Sequence, residues 1–89
     1  MRRIAQRKQF RNDLKRLMRR GKDIGELIAA VELLLEQGML PAGYHPHKLS
    51  GEWSGVWECH IEPDWLLIYA VTDDEVLLIR TGTHRDLFI

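Results

Sequence analysis

Four histidines, His45, His47, His60 and His84, stand out in a chain that also carries Asp64 and Arg80. Histidine exchanges protons near neutrality, and arginine grips a phosphate through two parallel donors. Cutting a ribose phosphodiester without a metal needs three parts. A base takes the 2′-hydroxyl proton, an acid protonates the leaving 5′-oxygen, and a cation steadies the charge building on phosphorus. His47, His60 and His84, with Asp64 and Arg80, supply all of them, while Phe88 or Trp65 offers a ring on which a base can stack. A zinc site fits less well. The single cysteine, Cys59, adjoins His60, and neighbours on a strand point to opposite faces, so no zinc-ligand signature forms. Cys59 itself falls on the apolar side of its strand, where a free thiol behaves as a small hydrophobe rather than a nucleophile.

The elements that must position these groups follow from periodicity. Residues 2–5 suit a short edge strand around Ile4. From about Arg7 to Arg20, Phe10, Leu14, Leu17 and Met18 recur at helical spacing, with the basic residues on the other side. Gly21 sits where a helix ends in a left-handed residue. Asp23 and Glu26 have capping-box spacing and open a second helix, buried through Ile24, Leu27, Ile28, Val31, Leu34 and Leu35 and closed by Gly38. So short a connection predicts an antiparallel helix pair. Residues 41–46 read as loop, Lys48 and Leu49 as the start of a strand, and Ser50-Gly51-Glu52 as a turn. From Trp53 to Ile61, alternation puts Trp57, Cys59 and Ile61 on one face and Glu58 and His60 on the other. A corner at Pro63-Asp64 leads into Leu66–Val71, apolar on both faces as a central strand is. After Thr72-Asp73-Asp74 comes a strand from Val76 to Thr83. If that strand stays extended, Arg80 and His84 share a face. Helices first and a meander after predict one α+β domain over residues 1–89, two N-terminal helices packed on a small, largely antiparallel sheet.

The chain has 89 residues and zero net charge, but the charge is divided. Up to Lys22 there are ten basic residues against Asp13 alone, and beyond it three basic residues face twelve acids. A surface so one-sided suits a polyanion. No apolar run reaches the roughly 18–20 residues of a membrane span, and the basic N-terminal stretch lacks the apolar core of a signal peptide. One cysteine permits no internal disulfide and fits a reducing, cytoplasmic setting.

Three stretches carry a family resemblance: His47-Lys48-Leu49-Ser50-Gly51-Glu52-Trp53-Ser54-Gly55, the run from Glu58 to Tyr69, and Arg80-Thr81-Gly82-Thr83-His84-Arg85-Asp86-Leu87-Phe88. With the basic first helix, they resemble the RelE superfamily of bacterial toxins, YafQ type, over nearly the whole chain. The resemblance implies ribosome-dependent, metal-independent cleavage of mRNA, with no cofactor. It implies a catalytic set of His47, His60, Asp64, Arg80, His84 and Phe88. In that set His84 is general acid or base, His60 and Asp64 arrange the proton network, Arg80 holds the phosphate and Phe88 orders a base. Trp65 becomes structural support for the corner. Arg7, Lys8, Arg11, Lys15, Arg16, Arg19 and Lys48 would meet ribosomal RNA, and a small RelB- or DinJ-like antitoxin would hold the toxin inactive in a hetero-oligomer. The alternative is a non-catalytic module of the same fold that binds RNA or antitoxin. One position departs from the family: Trp57 stands where a basic residue often precedes the Glu-Cys-His run.

Overall fold

The computed structural model describes residues 1–51 and 55–88. In chain order the elements are β1 (Arg3–Gln6), α1 (Lys8–Arg19), α2 (Ile24–Gln37), a 3-10 turn (Ala42–Tyr44), β2 (His47–Lys48), β3 (Trp57–Glu62), β4 (Trp65–Val71), β5 (Glu75–Gly82) and α3 (His84–Phe88). The five strands form one sheet in the order β1-β5-β4-β3-β2. Only β1 runs parallel to its neighbour; the other pairings are antiparallel. This is the expected α+β arrangement. The expected turn at Glu52 and strand start at Trp53 lie outside the described residues.

α1 buries Phe10, Asp13 and Leu17 and lies against β5. α2 buries Leu27, Ala30, Val31 and Leu34 and reaches both β3 and β5. These side chains close over Cys59, Trp65, Leu67, Tyr69, Val76 and Leu78. Burying a large apolar side chain contributes roughly 1.5–3 kcal/mol, so this layer holds the helices to the sheet. Two expected core residues are not in it. Met18 and Ile28 are exposed, because the buried stripes run through Asp13 and Ala30 instead.

Both helix stops are glycines in the expected left-handed conformation or beside it: Gly38 caps α2 at φ 74°, and Gly21 follows α1 at φ 79°. The start of α2 differs in detail from a full capping box. The Asp23 carboxylate accepts from the Gly25 N–H at 2.9 Å, and the Glu26 carboxyl turns to Glu62. Glu62 is anchored by Lys22 at 2.9 Å. The central strand β4 is buried on both faces, with Leu66, Leu67 and Ile68 fully covered.

Candidate active site

The corner between β3 and β4 carries Asp64 to one end of the sheet, beside the point where β5 stops. β5 stops at Gly82, whose φ is 154° and where a Cβ would lie 2.9 Å from Asp86 Oδ2. α3 then begins with a reciprocal cap: Asp86 N–H donates to Thr83 Oγ1 at 3.1 Å, and Thr83 N–H donates to Asp86 Oδ2 at 3.0 Å. The expectation of an extended chain through His84 is therefore corrected. His84 is the first residue of a short helix, and strand alternation does not place it with Arg80.

What places His84 is Asp64. One carboxylate oxygen, Oδ1, accepts the His84 backbone N–H at 3.0 Å and its ring Nδ1 at 2.6 Å. Those two bonds, the backbone one first, hold the Asp64 carboxyl below its ordinary range. The ring is thus fixed through Nδ1, and with the side chain 56% exposed, Nε2 is the nitrogen left to meet a substrate.

The remaining histidines stand beside it. The His60 ring lies edge-on to His84 with centroids 6.0 Å apart, and His45 is 5.7 Å from His60 on the other side. His47 sits directly across the sheet from Glu58. Its Nε2 is 3.4 Å from Glu58 Oε1, and its Nδ1 contacts the His45 carbonyl oxygen at 3.1 Å. His60 Nε2 is 3.7 Å from the same Glu58 oxygen. Glu58 and His45 stand outside the catalytic set that the resemblance implies. The signal for Glu58 was its place beside His60 on the expected polar face of the strand. His45 owes its place to a left-handed backbone, φ 51°, after the 3-10 turn. A cleft lined by His45, His60, Glu62 and Pro63 opens beside this row.

Arg80 is tied down from the other side. Its Nε and Nη2 donate to the two oxygens of Asp13 at 2.7 and 3.1 Å. Asp13 also accepts the Thr81 N–H at 3.2 Å, so one buried acid on α1 covers the end of β5 beyond its pairing with β1 and orients the arginine. The ion pair keeps Arg80 above its ordinary range. Phe88 is 43% exposed at the end of α3. Trp65 is buried, with Nε1 donating to Thr81 Oγ1 at 2.9 Å, and so braces the corner from inside. Lys48 lies over the Trp57 ring at 5.7 Å, so a cation stands next to the position where the basic residue is missing. On α1 and its N-cap, Arg7, Lys8, Arg11, Lys15 and Arg19 are exposed, while Arg16 is half-buried and turned to Asp13 at 3.5 Å.

Fold and site together define an α+β protein of two helices on an open sheet, with an oriented histidine and an anchored arginine at the sheet's end. A family model described as "Bacterial toxin of type II toxin-antitoxin system, YafQ" matches residues 2–89. The chain belongs to this YafQ family of toxins. It is 43% identical over 81 residues to the mRNA interferase toxin YafQ of Escherichia coli K12, covering 90% of this chain and 88% of that one. Among solved structures, YafQ in the E. coli DinJ–YafQ complex superposes with a TM-score of 0.91 at 41% identity over the whole of both chains. A metal-bound toxin from Helicobacter pylori matches with a TM-score of 0.90 at 36% identity, covering 99% of this chain and all of that one. Among the described residues here, no group of three or more His, Cys, Asp or Glu side chains is disposed to hold a metal ion.

Proposed function

We propose that this chain is a ribosome-dependent mRNA endoribonuclease, the toxin of a toxin–antitoxin pair, cutting by attack of the substrate's own 2′-hydroxyl. The observation that carries the reading is the Asp64–His84 pair at 2.6 Å, which fixes one ring nitrogen and presents the other. A carboxylate holding an imidazole by Nδ1 is the arrangement that readies Nε2 for proton transfer. His84 is the general acid or base. His60, edge-on to it, and Asp64 complete the proton network, and His47 adds a second imidazole along the row. Arg80 meets the phosphate with the part of its guanidinium that Asp13 does not engage. Phe88 stacks against a base of the substrate.

In the reaction a base takes the 2′-hydroxyl proton as that oxygen attacks phosphorus, and an acid protonates the departing 5′-oxygen. The histidines supply both proton transfers, and no step is assigned to a metal. The exposed cations of α1 (Arg7, Lys8, Arg11, Lys15, Arg19), with Arg16 and Lys48, meet ribosomal RNA. The partner is a DinJ- or RelB-like antitoxin, and the setting is the cytoplasm, where mRNA is decoded.

Analysis of the cut ends tests this. A 2′,3′-cyclic phosphate, or the 3′-phosphate from its opening, is expected opposite a 5′-hydroxyl. A single 2′-deoxy substitution on the 5′ side of the scissile bond abolishes cutting and leaves binding intact. A metal-activated water would leave a 5′-phosphate and tolerate that substitution. Finding 5′-phosphate ends, or unreduced cutting of the deoxy substrate, would overturn the mechanism.

A further inference from the structure

We propose that Arg20 and Lys22, the cations on either side of Gly21 at the end of α1, are positioning residues for cleavage: Arg20 holds the helix that carries His84, and Lys22 holds the turn that carries Asp64. This rests on the ribonuclease reading above and gives these two cations a different role from that of the exposed cations of α1.

The Asp64–His84 pair needs such support. Both side chains are more than half exposed, and an exposed ion pair contributes too little by itself to hold two segments in place. The sheet brings the segments close but does not reach them. At this end its last β4–β5 pair is Leu66 with Gly82, and its last β3–β4 pair is Glu62 with Trp65. Asp64 lies in the two-residue turn beyond the second pair, and His84 lies beyond the first.

The end of α1 reaches both segments. The Gly21 N–H donates to the Met18 carbonyl oxygen and the Lys22 N–H to that of Leu17, each at 3.1 Å, the pair of bonds that closes a helix on a left-handed glycine. On one side of that glycine, Arg20 Nη1 and Nη2 donate to the two oxygens of Asp86 at 2.7 and 3.1 Å. A two-pronged contact of this kind fixes direction as well as distance. Asp86 also accepts the Thr83 N–H, which passes the grip to the residue before His84. On the other side, Lys22 Nζ donates to Glu62 Oε1 at 2.9 Å and stands 5.8 Å from the centroid of the Trp65 ring. Glu62 and Trp65 flank Pro63-Asp64, so one ammonium spans the turn. The Arg20 bond lowers the Asp86 carboxyl and the Lys22 bond lowers that of Glu62, so both contacts stay charged at neutral pH. One helix end, anchored in the core by Leu17, thus ties the two halves of the pair to a common base. Misplacing a reacting group by about 1 Å costs on the order of 100-fold in rate, so slack in either tie reaches the chemistry.

The test uses the purified chain, cleavage of mRNA on programmed ribosomes and nitrogen-15 spectra of the His84 ring, at a temperature where each variant is folded. Arg20→Gln and Asp86→Asn remove one grip from its two ends, and Lys22→Gln and Glu62→Gln remove the other. Each should lower kcat by at least about tenfold with KM nearly unchanged, and each should move the His84 Nδ1 signal. The acid variants separate positioning from RNA binding. Asp86 and Glu62 cannot hold a phosphate, so if Arg20 and Lys22 served only to bind RNA, removing the acids would leave kcat whole and tighten binding. Within each pair the double variant should lose no more than the worse single one, because both partners act through one contact. Full kcat in the folded acid variants, an unmoved His84 signal, or losses that multiply within a pair would overturn the proposal. If Arg20→Gln or Asp86→Asn does not fold, the Lys22–Glu62 pair, 35% and 34% exposed, decides by the same cycle. A native chain that cuts no mRNA fails the ribonuclease reading alone, because the His84 ring still reports whether the ties hold it.

Discussion

Asp64 and His84 show how much of the site rests on one carboxylate oxygen. It caps the first N–H of α3 and orients the ring that the helix carries. General acid–base groups contribute about 10²–10⁴-fold to rate. His84→Ala should accordingly lose at least about 100-fold in cleavage and relieve growth arrest on expression, with the thermal midpoint unchanged because the side chain is exposed. A folded His84→Ala protein that stays fully toxic would refute its role. Cys59 gives the opposite case. It is completely buried, and burial, reinforced by the nearby Glu58 charge, pushes its thiol up to about 12. A thiolate is the reactive form, so a thiol reagent at pH 8 should label Cys59 only after denaturant is added. The thiol's packing was legible from its place on the apolar face of a strand. The neighbourhood of His45 was not, because a left-handed residue after a 3-10 turn leaves no mark in periodicity.

At the scale of elements, α3 was missed although its signal stood in the chain. Thr83 and Asp86 have the spacing of a capping box, but the strand reads as ending at Thr83 and the tail after it shows no element of its own. The helix is too short to show a period of its own, and tertiary bonds decide its start. Asp86 is also gripped by both ends of the Arg20 guanidinium, at 2.7 and 3.1 Å. That bond, helped by those from Thr83, holds its carboxyl well below the ordinary 3.8. A group lowered in the folded state stabilises at pH above its unfolded value and loses that contribution as pH falls through the folded one. Thermal stability should therefore decline below about pH 4, and Asp86→Asn should flatten that part of the pH profile while lowering the midpoint above it. An identical acid limb in both proteins would show that the contact does not matter to folding. Asp13 carries the larger load, being buried at 2% exposure between Arg80, Arg16 and the Thr81 N–H. Breaking such a pair strands Arg80 partly buried, so Asp13→Ala should cost about 3 kcal/mol by denaturant titration. The helical wheel could not show this, because it assigns the buried side to apolar residues and an acid there reads as solvated.

Across the whole molecule, the divided charge of the chain is sorted by the fold into cations that are used and cations that are offered. Of the ten up to Lys22, Arg2 bonds the Thr72 carbonyl, Arg16 turns to Asp13, Arg20 holds Asp86 and Lys22 holds Glu62. Arg3, Arg7, Lys8, Arg11, Lys15 and Arg19 are exposed and make no side-chain hydrogen bond or ion pair among the described residues. Arg11, Lys15 and Arg19 recur every four residues and form one stripe along α1, opposite the side that buries Phe10 and Leu17. Like charges at that spacing repel and slightly weaken the helix, so the stripe serves something other than stability. Replacing all three with glutamate keeps helix propensity and keeps the mutual repulsion, which leaves the fold as stable as before. On the proposed ribosome reading it removes three contacts to phosphate. Each contact to nucleic acid releases counterions, and the logarithmic dependence of affinity on salt should fall by roughly two to three. Co-sedimentation with ribosomes across a salt series should thus show binding that is weaker at low salt and flatter as salt rises. If the substituted protein sediments as the native one does at every salt concentration, the stripe does not face ribosomal RNA, and the antitoxin becomes the polyanion to test against it.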